Sequence, residues 1–249
     1  MNFIQDECML RNLLQRIGTF GIHEEKLSQE EKFFCNIVGY ADIKKLLYKS
    51  VISKDPINIL LTGPPSCSKS TFLLNMLDSL NNAFFVDGAG ASGAGMIDHL
   101  FNNNTKYLLI DEIDKMKKND QATLLNVMET GILSETKSKG KTRQTKMKLW
   151  IYATSNDSKR LSNPMRSRFI ELFLDEYSYE QFAEITKRLL EKRYALDSEI
   201  SEQIAYSVWN KMGSKDVRNA INIGKLSKTI HDVNWLVDLQ IRYASKKIW

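Results

Sequence analysis

The stretch LLTGPPSCSKSTFLL (60–74) joins an apolar run to a helical pattern through Gly63, Pro64, Pro65, Ser66, Cys67 and Ser68, then presents Lys69, Ser70 and Thr71. These are the parts of an anion cradle: consecutive backbone N–H groups, a helix N-terminus aimed at the anion, and a lysine for the outer oxygens of a phosphate chain. The hydroxyl after the lysine is a hard oxygen donor suited to Mg²⁺. The usual pattern, G-x-x-x-x-G-K-[ST], has glycine before the lysine, where this chain has Ser68. Glycine there allows unusual backbone angles and close approach. Serine is small and keeps its N–H, and a negative φ at Ser68 would preserve the cradle.

A second stretch, KYLLIDEIDKM (106–116), ends a run of apolar residues on adjacent carboxylates, Asp111 and Glu112. At the C-terminal edge of a parallel sheet, such a pair faces the ligand crevice. Asp111 is expected to hold Mg²⁺ through water, and Glu112 to orient and deprotonate an attacking water. Lys69 lies 42 residues before Asp111, a spacing that fits one intervening strand. Three weaker polar signals follow in order. Ser155-Asn156 ends LWIYATS, and Asn156 is placed to position the hydrolytic water beside Glu112. NPMRSRF carries Arg166 and Arg168, and SKDVRNAINI carries Arg218 early in a helix. A further stretch, DGAGASGAG, matches G-x-G-x-x-G at Gly88, Gly90 and Gly93. It does not open from the first strand, and Asp111 has the role above, so a flexible loop at a strand's C-terminal edge is expected rather than a dinucleotide site.

The elements that must carry these residues read as follows. Apolar runs at 58–62, 83–86, 107–110, 149–155 and 170–174 are short strands. Segment 41–53 is a helix before them, and 70–79, 96–101 and 121–128 are helices between them. Strands alternating with helices imply a parallel sheet covered on both faces. From about Tyr177 onward the pattern is helical only, over 178–193, 198–211, 214–227 and 233–245. Met9, Leu10, Leu13, Leu14 and Ile17 sit at helical spacing, and 18–32 reads as a polar linker. The expected organisation is an N-terminal helix and linker (1–34), an α/β core (35–175) and a helical domain (176–249).

Composition narrows the class. The chain has 249 residues, 43% hydrophobic and 26% charged, as ordinary globular domains do. No apolar run approaches the roughly 18 residues of a membrane span, and MNFIQDECML has no leader-like pattern. Three scattered cysteines, Cys8, Cys35 and Cys67, suit reduced thiols in a cytoplasm. Net charge is +5, yet Lys137, Lys139, Lys141, Arg143, Lys146 and Lys148 fall within one short segment, and without them the chain is net −1. The segment, 131–148, reads as a β-hairpin with its tip near Gly140 and six cations without counter-charge.

Taken in order, these motifs resemble the AAA+ ATPases over about residues 35–230. GPPSCSKS is similar to their Walker A, LLIDEID to Walker B, ATSN to sensor 1, SRF to the arginine finger and SKDVRNA to sensor 2. The resemblance implies a P-loop NTPase core of five parallel strands in three layers with a helical lid, and ATP with Mg²⁺ as ligands. It implies that Ile37, Val38 and Gly39, in NIVGYADIKKLL, line the adenine. It also implies that Arg168, with Arg166 as the alternative, reaches the γ-phosphate of a neighbouring subunit, and that Arg218 acts in cis. A trans arginine requires an assembly, commonly a hexameric ring. The hairpin resembles the pre-sensor-1 hairpin of the RuvB family and of the minichromosome maintenance helicases. In a ring it would point into the pore and track DNA phosphates. A protein-remodelling ATPase and a nucleotide-dependent switch with little turnover are the rival expectations; the hairpin lacks the aromatic residue that threading loops usually present.

Overall fold

The computed structural model describes residues 29–34, 37–90, 93–136 and 142–243. The helix expected around Leu13, with Cys8 and Cys35, lies outside the described residues. The chain divides into two compact units. One contains the chain up to Pro64 and Ser68–Leu174; the other contains Pro65–Cys67 and the chain from Asp175 onward.

The first unit is built on five parallel strands: β1 (Ile59–Thr62), β2 (Ala83–Asp87), β3 (Tyr107–Asp111), β6 (Trp150–Ser155) and β7 (Ile170–Phe173). Their spatial order is β2-β3-β6-β1-β7. The strands form because their runs are apolar on both faces. Ile59, Leu60, Leu61, Leu108, Leu109 and Ile110 are all at most 1% exposed, as a sheet covered on two sides demands. Each such side chain contributes about 1.5–3 kcal/mol by leaving water. Register is explicit: Leu60 pairs with Ala153 and Glu171, and Leu109 with Phe85 and Tyr152.

The helices of this unit are α1 (Gln29–Phe33), α2 (Ala41–Val51), α3 (Lys69–Ser79), α4 (Gly93–Asn102), α5 (Lys118–Thr130) and α6 (Asn163–Arg166). Met96, Leu100, Leu124 and Val127 from α4 and α5 join Leu108, Ile110 and Ile151 in one core cluster. Tyr152 is fully buried; its hydroxyl meets Ser50 Oγ at 2.9 Å, and burial raises its pKa. Two expectations are corrected here. Residues 29–32, read as the end of a polar linker, belong to a helix that runs to Phe33, because Phe33 and Phe34 stack edge-on and Phe34 packs on Phe72. The helix expected at 96–101 begins at Gly93, where any Cβ would overlap the Asp120 carboxylate.

Between α5 and β6 the chain forms an antiparallel hairpin outside the main sheet, β4 (Ile132–Thr136) and β5 (Thr142–Lys146), with Thr136 opposite Thr142. Residues 137–141, with Lys137, Lys139, Lys141 and the tip at Gly140, lie outside the described residues.

The second unit has α7 (Tyr179–Tyr194), α8 (Ser198–Tyr206), α9 (Val217–Leu226) and α10 (Ile230–Tyr243). Ser178 and Gln181 form a reciprocal capping box at the start of α7. The Asp216 side chain caps α9 by accepting from Arg218 N. The single helix expected over 198–211 instead gives way to a π-turn at Ser207–Lys211. That turn buries Val208 and sets Trp209 against Phe182, ring centroids 5.2 Å apart. Gly224 allows α9 to lie on α7, since a Cβ there would meet Leu190 Cδ2 at 2.3 Å. No helix among the described residues is long and apolar enough to cross a membrane.

The tightest backbone approach is at the end of β2. Gly88 N donates to Asp111 O at 2.7 Å, and a Cβ on Gly88 would sit 2.5 Å from Glu112 O. Gly88→Ala is therefore expected to destabilise the α/β unit by about 1–3 kcal/mol, the usual cost of overpacking. A lowered urea midpoint at unchanged slope will show it.

Candidate nucleotide-binding site

The expected residues of the α/β unit converge at the C-terminal edge of the sheet because β6 lies between β1 and β3. The strand from the first motif and the strand from the second thus flank the strand that ends in Thr154 and Ser155 and is followed by Asn156. At the centre is Asp111. Its Oδ1 accepts from Ser70 Oγ at 2.9 Å and from Thr154 Oγ1 at 2.5 Å. Thr154 Oγ1 also accepts from Glu112 N at 2.9 Å. One threonine hydroxyl therefore fixes both members of the carboxylate pair. Sequence reading missed Thr154; its only signal, a hydroxyl at a strand end, becomes meaningful once the strand order is known.

Glu112 emerges with a left-handed φ of 52°. A non-glycine residue in that region stores strain, a feature that clusters at functional sites. Its Oε1 accepts from Asn156 Nδ2 at 3.2 Å, and its Oε2 pairs with Lys115 Nζ at 2.7 Å. The hydrogen bond that Lys115 donates to Glu112 raises the pKa of Lys115. Asn156 is itself anchored by its backbone N–H, 3.3 Å from Asp114 Oδ1. Lys115 and Asp114 were also missed, although both lie in the DEIDK run.

The loop before α3 departs from expectation. Ser68 has φ 64°, not a negative value, and Ser66 has φ 69°. The chain must turn sharply from β1 into α3, and these two serines take the left-handed conformation that glycine would adopt without penalty. The serine N–H is retained, so the turn keeps the alternating geometry of an anion-binding nest. Lys69 is 6% exposed, and its ammonium donates to the carbonyls of Gly63 (2.8 Å) and Pro64 (2.6 Å). Cys67 is buried, which shields its thiol from the alkylation that an exposed cradle cysteine would invite. Thr71 follows in the first turn of α3. Ile37 is buried, with its carbonyl accepting from Lys44 Nζ at 2.5 Å; Val38 is half-buried and Gly39 has φ 73°.

The arginines are held by carboxylates. Arg168 Nη2 reaches Glu129 Oε1 at 2.6 Å, and Arg166 Nη2 reaches Glu171 Oε2 at 2.8 Å. Glu171 is lowered in pKa: burial pushes it up, but hydrogen bonds from Ser158 and Arg166 outweigh that. Within the helical unit, Arg218 Nε donates to both Asp216 oxygens at 3.1 Å, and its Nη2 to Ser66 Oγ at 3.0 Å. Desolvation raises Asp216, and the Arg218 contacts lower it further than that.

The hairpin cations do not form an unopposed set. Arg143 bonds to Asp98 and to Glu135 (2.7 Å), and its guanidinium lies 4.0 Å from the centre of the Phe101 ring. Burial opposes its charge, but the two carboxylates hold its pKa above the ordinary value. Lys148 pairs with Asp55 at 2.9 Å. Lys146 is exposed and has no ion-pair partner among the described residues.

Ser70 Oγ and Asp111 Oδ1 make a pair of hard oxygen donors fit for Mg²⁺, which typically takes one or two protein oxygens and completes its shell with water and phosphate. No cluster of three acidic, histidine or cysteine ligands occurs among the described residues. For Ser68→Gly, relief of the left-handed strain is worth about 1–2 kcal/mol. Greater freedom of the unfolded chain offsets about 0.4–1 kcal/mol of it. A gain of up to about 1.6 kcal/mol in urea unfolding is expected.

Comparison with known proteins agrees with this geometry. Residues 59–176 match the family described as "ATPase family associated with various cellular activities (AAA)". DNA replication licensing factor mcm6 of Dictyostelium discoideum is 28% identical over 150 residues, covering 46% of this chain and 17% of that protein. Lon protease homolog 2, peroxisomal, of Pichia angusta is 26% identical over 210 residues, covering 74% of this chain and 22% of that protein. The chain spans under a third of the length of such relatives. The Thermotoga maritima RuvB Holliday junction branch migration motor superposes with TM-score 0.61 at 20% identity, over 81% of this chain and 70% of that one. The shared fold is the α/β P-loop NTPase fold, and residues 59–176 of this chain form a domain of the AAA ATPase family.

Proposed function

We propose that this protein hydrolyses ATP in a homo-oligomeric ring, commonly a hexamer in such proteins, and uses the energy to remodel DNA. The observation that carries the catalytic part is the network Ser70–Asp111–Thr154–Glu112–Asn156, in which donors from three elements meet within hydrogen-bond distance. In this reading the loop 63–68 and Lys69 bind the triphosphate, the ammonium exchanging loop carbonyls for phosphate oxygens. Ser70 and Asp111 hold Mg²⁺, which when bound neutralises charge on the phosphates. Glu112 takes the proton of the attacking water, and Asn156 fixes the carboxylate that does so. Arg218 acts in cis and Arg168, or Arg166, from the neighbouring subunit, stabilising the charge that spreads over the transferred phosphoryl oxygens. Ile37, Val38 and Gly39 line the adenine. The compartment would be the cytoplasm.

DNA is favoured as the substrate by two features: the hairpin with its basic segment, and the likeness to RuvB and to a replication licensing factor. The match to a Lon homologue supports the rival in which a polypeptide is remodelled. Stimulation of ATP hydrolysis by DNA, and not by unfolded protein, would decide for the first.

Glu112→Gln should lower kcat by about 10²–10⁴, the range for loss of a general base, while ATP still binds. Equal, near-zero rates in wild type and variant would leave only a nucleotide-dependent switch. Because the finger is supplied in trans, specific activity should rise with protein concentration. Arg168→Ala should remove that rise, with about 10³–10⁵ lost in rate as in comparable trans arginines. Steady-state phosphate release across a dilution series, with single-stranded, duplex and branched DNA, measures both.

A further inference from the structure

A cavity of about 490 Å³ opens at the opposite, N-terminal edge of the sheet, where β3 and β6 begin. Its walls include Asn82, Asn104, Lys106, Thr145, Lys146 and Lys148. No acidic residue among the described residues lines it. Tyr107 and Asp111 mark the two ends of β3, so the cavity lies about 13 Å from the carboxylate network by strand rise.

Lys106 is the most organised group there. Its ammonium sits 4.9 Å from the centre of the Tyr107 ring and 4.7 Å from that of Trp150. Two aromatic faces hold the cation in place without occupying its three N–H donors. Its backbone is fixed as well: Lys106 N donates to Asn82 O at 2.9 Å, and Lys106 O accepts from Trp150 N at 3.0 Å. Lys146 and Thr145 come from the end of β5, so one wall of the cavity is the root of the hairpin. The ammonium groups of Lys106 and Lys146, with that of Lys148 shared with Asp55, and side-chain amides and a hydroxyl make a surface for an anion that also offers hydroxyl and ester oxygens. The Tyr107 and Trp150 rings are buried and turned to Lys106, and the Phe101 ring in the cavity wall already carries the Arg143 guanidinium, so stacking of bases is not what the cavity offers first. A volume in the range of small-ligand sites admits a single strand but not a duplex.

We propose that this cavity binds the sugar–phosphate backbone of single-stranded nucleic acid, independent of sequence, as a continuation of the hairpin track. The inference rests on the DNA reading above and extends it to Lys106 and Asn104, which belong to neither the hairpin cations nor the nucleotide site. The test is fluorescence anisotropy of a labelled oligothymidylate against the full chain, over a range of salt. Lys106→Gln removes one phosphate contact and should flatten the dependence of log affinity on log salt by about 0.7. Asn104→Asp places a carboxylate in the cavity and removes no hydrogen bond seen in the structure, so it tests the site even where Lys106→Gln disturbs packing. It should weaken binding, with basal ATP hydrolysis unchanged in both variants. Lys139→Glu/Lys141→Glu is the control for the hairpin. If only that control loses affinity, and both cavity variants keep wild-type affinity and slope, the cavity proposal is overturned and the DNA reading stands. If the control also binds as wild type does, both fall.

Discussion

The structure depends on one carboxylate receiving two hydroxyls. Asp111 ends β3, Ser70 opens α3 and Thr154 nears the end of β6, and all meet at Asp111 Oδ1. Half-buried polar groups that are fully paired rigidify a site, whereas a half-paired network is costly. The pairing is possible only because β6 inserts between β1 and β3. Strand order, more than any single motif, therefore sets the chemistry available at this sheet edge. Glu112 inherits its position from the same threonine, through its own backbone N–H.

Strain at this edge has a consistent pattern. Ser66, Ser68 and Glu112 all take left-handed backbone angles without being glycine. Each such residue costs on the order of 1–3 kcal/mol unless its surroundings over-determine it. The surroundings are visible for Glu112: Thr154 holds its N–H, and its carbonyl lies where a side chain on Gly88, just past β2, would stand. The loop before α3 is likewise shaped by its neighbours, since two of its serines adopt angles that their own chemistry disfavours.

Much of this was legible beforehand because the signals were local. The buried strands declared themselves as apolar runs, and Lys69, Ser70, Asp111, Glu112 and Asn156 stood at strand or helix ends where polar residues would otherwise be solvated. What was not legible depended on packing between distant segments. Thr154 matters through Asp111, its lateral neighbour on β3, 43 residues away in the chain. The φ of Ser68 follows from how steeply the chain must turn into α3, which residue type alone does not encode. The π-turn at 207–211 arises from the bulk of Trp209 against Phe182, a contact across helices. Arg143 looked like one more hairpin cation, because Asp98 lies 45 residues away in the chain.

That last residue carries a consequence for how the hairpin is weighed. Its guanidinium already answers two acids and an aromatic face on α4. A group so engaged releases no condensed ion when a polyanion arrives, so a tally of basic letters overstates the electrical pull of the ribbon. What Arg143 contributes is mechanical: it rivets the outer end of the ribbon, one pair in from Thr136 and Thr142, to α4.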